Sequence, residues 1–223
     1  MIIYHGSNKI IEKPEFGKGN TKNDYGLGFY CTENIELAKE WACSTINANG
    51  YANKYNIDLS TLKILDLTDS KFSILNWLAI LLQFRTFDVN TPISKEAKNY
   101  ILKNFYIDVE EYDVIIGYRA DDSYFSFAKD FINNTISIEQ LSKAMLLGKL
   151  GVQIVLKSKI AFEKIKFVES ELAVSDEYYT KRIARDKNAR NEYFENKTNL
   201  SANGIYVIDI IRRGIKDGSD FLQ

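Results

Sequence analysis

One histidine stands in 223 residues, and it comes fifth, inside the run Met1-Ile2-Ile3-Tyr4-His5-Gly6-Ser7. Ile2, Ile3 and Tyr4 favour a strand, Gly6 permits close backbone approach, and Ser7 with Asn8 can hydrogen-bond a ligand or their own backbone. The run delivers an imidazole straight into a turn. There it can serve as acid, base, hydrogen-bonding partner or metal ligand, and a strand-end histidine satisfied by its neighbours fits the same residue types. Asp121 and Asp122 follow an apolar run, where they can cap a turn or helix. As a glycosidase pair they fit poorly, because adjacent side chains in an extended segment point apart. Cys31 and Cys43 with one histidine are too few for a zinc site or a disulfide framework, so no metal is expected. Cys31 reads as core, facing away from its neighbour Tyr30.

The elements that must position these residues can be read from patterning. After the first strand, the polar loop from Lys9 to Tyr25 holds Pro14, Gly17 and Gly19 with lysines at 9, 13, 18 and 22. Its composition suits a mobile, ligand-facing segment, although a solvated loop face also accounts for the lysines. Gly26 to Thr32 runs from a glycine turn into a short strand. Thr32 or Asn34 can then cap a helix on which Ile35, Ala38, Trp41, Ala42 and Ile46 share a face. Strands are predicted around Tyr51 to Leu59 and Leu62 to Leu67, followed by helices over 71–86 and 94–106 that form a helical insertion, residues 71–108. The β-branched run Tyr112 to Gly117 is the next strand. Ser123 to Asn133 and Ser137 to Leu147 read as helices, the second capped by Ser137, and strands follow at Gln153 to Ser158 and Lys166 to Val174. From Ser175 the chain is polar and basic around 181–190. It then spaces Ile205, Ile208, Ile211 and Ile215 nearer to a helical than an alternating period.

With 45% hydrophobic and 26% charged residues, the chain has the composition of an ordinary globular protein. A net charge of -1 gives no bulk electrostatic case for a nucleic-acid or membrane partner, which leaves local patches as the only route to one. The apolar stretch Phe72 to Leu82 is shorter than the ~18 residues of a membrane span and is expected to be a buried helix. Met1 leads directly into the strand-like run, and with two cysteines the expected location is the cytoplasm.

His5-Gly6-Ser7 on a first strand, then Gly26-Leu27-Gly28-Phe29-Tyr30 on a second, then a helix carrying Ala38 and Trp41-Ala42, together resemble the His-Tyr-Glu class of ADP-ribosyltransferases. That class includes the poly(ADP-ribose) polymerases and diphtheria toxin. Up to about residue 170 the chain is similar to a related bacterial family, DUF3990. The matching runs there are Leu75-Asn76-Trp77-Leu78-Ala79, Tyr112-Asp113-Val114-Ile115-Ile116-Gly117 with Ala120-Asp121-Asp122, and Gln153-Ile154.

The resemblance implies an α+β, ADP-ribosyltransferase-like fold of two small, mainly antiparallel sheets with flanking helices. Residues 1–223 would form a single domain, with 71–108 as insertion and 175–223 as C-terminal extension. It implies NAD as co-substrate. His5 would hydrogen-bond a ribose hydroxyl, the backbone of Gly6 would pair with the nicotinamide carboxamide, and Tyr30 would stack on the nicotinamide ring. Ser7 and Gly28 would complete the cofactor wall. The third position of the class, usually Glu, falls on Gln153, which can hydrogen-bond a ribose but cannot accept a proton as a general base. Asp121, with Asp122, is the candidate to activate an acceptor instead. Glu169-Ser170-Glu171 mimics the Glu-x-Glu signature of the arginine-modifying branch, but that branch's first-strand arginine and Ser-Thr-Ser strand are missing. The implied activity is transfer of a single ADP-ribose to a protein or nucleic acid, in a toxin role with an antitoxin partner. NAD hydrolysis and a silent NAD- or ADP-ribose-binding module are the alternatives.

Overall fold

The computed structural model describes residues 1–120, 122–147, 151–197 and 204–219. The chain opens with strand β1 (Ile2–Ser7) and, after the long polar loop, enters β2 (Phe29–Cys31), helix α1 (Ile35–Ala42), β3 (Gly50–Ile57) and the short β4 (Ile64–Asp66). Helices α2 (Ile74–Phe84) and α3 (Pro92–Phe105) and a 3-10 turn (Val109–Glu111) lead to β5 (Val114–Tyr118). There follow α4 (Asp122–Ile132), α5 (Ile138–Ala144), β6 (Val152–Leu156), α6 (Lys159–Lys164), β7 (Ile165–Ala173), α7 (Ser175–Lys197) and α8 (Val207–Arg213).

The strands form two small sheets. One is antiparallel in the order β1-β3-β7, and the other runs β2-β6-β5-β4, with β4 and β5 its parallel pair. Parallel neighbours need a long crossover, and the helical stretch between β4 and β5 provides it. The same stretch supplies much of the core. On α2 every residue from Leu75 to Leu82 is buried, which requires a helix apolar on all sides, and its one buried amide, Asn76, donates to Phe105 O at 3.1 Å. A second cluster lies between the sheets, where Ile3, Tyr55 and Ile57 of the first meet Phe29, Cys31, Val114, Ile154 and Leu156 of the second. Cys31 is fully buried, as its place in the strand alternation required.

One sequence expectation is corrected, and two helices lie where patterning assigns no element. α1 stops at Ala42 instead of running to Ile46, and Ile46 is exposed. Patterning assigns no element between the strands predicted at 153–158 and 166–174, and α6 lies there; Ser158 caps it by accepting from Ala161 N–H at 3.1 Å. The polar stretch after Ser175 is a helix of 23 residues. Its inward stripe consists of Tyr178, Arg182, Arg185, Ala189 and Tyr193, so the helical period is present but carried by side chains that aliphatic patterning does not register. No helix among the described residues is long and apolar enough to cross a membrane.

Candidate functional site

The two sheets touch where β1 passes β2. Tyr4 N–H donates to Thr32 O at 2.7 Å and Thr32 N–H returns to Tyr4 O at 2.9 Å. The next residue is His5, whose Nδ1 lies 2.7 Å from Tyr30 O and whose ring stacks on Phe29 with centroids 4.2 Å apart. A carbonyl oxygen can only accept, so Nδ1 carries the proton and Nε2 presents a lone pair. Burial pulls the imidazole pKa below its ordinary 6.5, against the smaller opposing effect of the Tyr30 carbonyl. His5 is thereby a neutral hydrogen-bond acceptor.

Gly6 lets β1 lie against α1, since a Cβ there would run into the Ala38 carbonyl oxygen and come within 2.8 Å of Ala42 N. Opposite His5 in register stands Asn53, fully buried, which donates to His5 O and Lys9 O at 3.2 Å and accepts from Ile11 N–H at 3.0 Å. Tyr55 OH adds a bond to Ile11 O at 2.5 Å. These two β3 side chains fix the start of the polar loop over the site.

On the other sheet Tyr30 is tethered by its hydroxyl, which donates to Gly26 O at 2.6 Å and accepts from Tyr25 N–H at 3.1 Å. Burial raises the hydroxyl pKa strongly, so it stays an O–H donor and the ring is held in one orientation. Lys157, buried at the end of β6, holds the same glycine turn. Its ammonium donates to Tyr25 O, Leu27 O and Glu110 Oε1 at 2.8–2.9 Å, which uses all three of its protons. A Cβ on Gly28 would lie 2.6 Å from Val155 Cγ1, so close contact with β6 demands glycine there.

Between these walls lies a cavity of about 580 Å³, within the usual range for ligand sites. His5, Gly6, Gly28, Tyr30 and Gln153 all line it, so five of the expected site residues come together from both sheets. Beside Gln153 stands a carboxylate that sequence reasoning did not single out. Asp24 Oδ2 accepts from Gln153 Nε2 at 3.2 Å and from Ala120 N–H at 2.9 Å, while Oδ1 lies 3.5 Å from Arg85 Nε. Burial raises the Asp24 pKa, and the Ala120 N–H and the cations of Arg85 and Arg119 oppose it. Arg119 also stacks over Trp41 at 4.1 Å. Two buried atoms of the lining, Gln153 Oε1 and Trp41 Nε1, have no hydrogen-bond partner among the described residues. Lys9, Lys13 and Arg182 line the cavity as cations, and Lys18 there is paired with Glu15 at 2.7 Å, so the lining carries more positive charge than the nearly neutral chain.

Other expected residues fall elsewhere. Ser7 does not line the cavity; its hydroxyl accepts from Lys9 N–H at 3.3 Å. Glu169 and Glu171 lie on β7 away from the cavity, paired with Lys54 at 2.7 Å and Lys39 at 3.0 Å, so the Glu-x-Glu mimic is part of a surface strand. Asp121 lies outside the described residues. Of the four loop lysines only Lys22 is absent from the lining. Among the described residues no His, Cys, Asp and Glu side chains gather into a group able to hold a metal ion. Asp24, Asn53, Arg85 and Arg182 carried no sequence signal, since single polar residues in loops and strands become a site only by convergence.

A family model described as "Protein of unknown function (DUF3990)" matches residues 1–167. No curated protein and no solved structure matches the chain.

Proposed function

The chain belongs to the DUF3990 family, and from that premise we propose that it binds NAD in the cavity at the seam of its sheets and transfers ADP-ribose to a protein or nucleic acid. The observation that carries this reading is the convergence of His5, Gly6, Tyr30 and Gln153 on one cavity. These are the positions at which the chain resembles the His-Tyr-Glu transferases.

The residues present suit the substrate. His5 Nε2, unprotonated, accepts from a ribose hydroxyl, and the tethered Tyr30 ring offers a flat face for nicotinamide. Lys9, Lys13 and Arg182 of the lining are the cations available to a diphosphate. In the reaction the bond between ribose and nicotinamide breaks, and its electron pair leaves with nicotinamide. A new bond forms from the acceptor's nucleophile to the same ribose carbon, and the nucleophile's proton passes to solvent. Hydrogen bonds to the ribose and a fixed leaving group stabilise the positive charge that grows on the sugar. An amide at residue 153 accepts no proton, which favours a single transfer over chain elongation.

That same amide favours a second reading, a module that holds NAD or ADP-ribose without turning it over. Incubation with labelled NAD and a cell lysate separates the possibilities. Label on a macromolecule supports the transferase, free ADP-ribose supports a glycohydrolase, and intact NAD retained on the protein supports the module. No retention and no product would overturn the NAD site altogether. A toxin role with a neutralising partner belongs to the same proposal. It predicts growth arrest on expression that His5→Ala relieves.

A further inference from the structure

We infer that Asp24 is a positioning residue for Gln153, holding its amide with Nε2 inward so that the carbonyl Oε1 is left to accept a hydroxyl of the bound ligand. Asp24 Oδ2 already accepts from Ala120 N–H at 2.9 Å, so the carboxylate presents lone pairs on that side. The group that meets it at 3.2 Å must then be the NH2 end of Gln153. Gln153 is 4% exposed and lines the cavity, yet its Oε1 has no donor among the described residues. An unpaired carbonyl at such a position is costly, and a donor from outside the chain removes the cost. Asp24 itself is taken up by Ala120, Gln153 and Arg85, which suits it to fixing a neighbour better than to accepting a substrate proton.

The pair also gives a physical reason for glutamine where the resembling enzymes carry glutamate. A carboxylate at 153 would stand about 3 Å from that of Asp24, and like charges at that distance do not both stay ionised. The amide keeps the shape and the acceptor oxygen while turning the repulsion into a hydrogen bond.

Only the identity of the ligand rests on the NAD reading, so the experiment has two arms. The first needs no ligand. Gln153→Glu is expected to lower the melting temperature or fail to fold, and the double variant Asp24→Ala/Gln153→Glu, which removes the opposing carboxylate, to lose less than the two single changes together. A double variant no more stable than the two single changes combined would overturn the coupling. The second arm measures binding of NAD and of its analogue lacking the nicotinamide-side ribose 2′-hydroxyl. The wild-type protein is expected to prefer NAD by about tenfold, the scale of one hydrogen bond. In Asp24→Ala no acceptor holds Nε2 and the amide is free to turn, so the preference is expected to fall towards unity while the analogue binds within about twofold of its wild-type affinity. An unchanged preference would overturn the positioning role. If the wild-type protein binds neither compound, the NAD reading and the hydroxyl assignment fall together, while the first arm still decides the pairing of Asp24 with Gln153.

Discussion

At the residue scale the site turns on the protonation of His5. Its Nδ1–H is committed to Tyr30 O, and burial disfavours the imidazolium, so the folded chain stabilises the neutral ring. Above the ordinary value of 6.5 the ring is neutral in the folded and unfolded chains alike, and it makes no pH-dependent contribution. Below it the unfolded chain takes up the proton first, and stability falls with pH. Melting curves of the wild-type protein and His5→Gln from pH 8 to 5 should therefore show the wild type losing ground as pH drops. A difference that stays constant with pH would contradict the neutral assignment. If the cavity turns over NAD, His5→Ala and Tyr30→Ala should each slow it by about tenfold or more, one or two transition-state contacts at ~1.4 kcal/mol per tenfold. Wild-type rates in both would remove these residues from the site.

At the element scale the approach of β1 to α1 sets where the histidine can stand. A methyl group on Gly6 meets backbone atoms of α1, which cannot rotate away as a flexible side chain can. Gly6→Ala should cost about 3 kcal/mol, the upper end of overpacking penalties, and lower the melting temperature by about 10 °C. A shift of a degree or two would show that strand and helix separate easily. Most of the elements were legible because their patterns are strong. β1, β5 and α2 announce themselves through β-branched runs and a largely apolar stretch, and Asn34 and Ser137 cap the helices they were expected to start. α6 was missed because six residues give no readable period, and α7 because its inward stripe contains two half-buried arginines.

At the scale of the whole molecule, α7 ties the region after the family-matched segment to the site. Arg185 makes two bonds to the buried Glu40 of α1, at 2.6 and 2.9 Å, and Tyr193 stacks on Phe127 and donates to Asp130 Oδ2 at 2.6 Å. Three residues before Arg185, Arg182 lines the cavity. The two arginines should separate cleanly. Arg185→Met leaves Glu40 buried without its cation and should cost about 3 kcal/mol in a thermal or denaturant melt. Arg182→Ala should leave stability within about 0.5 kcal/mol and weaken binding of NAD several-fold, more at low salt than at high. Equal binding in Arg182→Ala across salt concentrations would take the helix out of the ligand site.

Local period and turn chemistry were enough for the order of most strands and helices, and the resemblance carried by short motifs pointed to an α+β class and to His5, Gly6, Gly28, Tyr30 and Gln153, which line one cavity. Tertiary structure alone decided that Asp24 stands beside Gln153, that Asn53 anchors the loop, that Glu169 and Glu171 belong to a surface strand, and that an arginine after residue 167 lines the cavity. The division has a physical cause. Hydrophobic period is written into neighbouring residues, whereas a polar site forms where distant segments meet, and the partner of a charge is fixed only once the chain has packed.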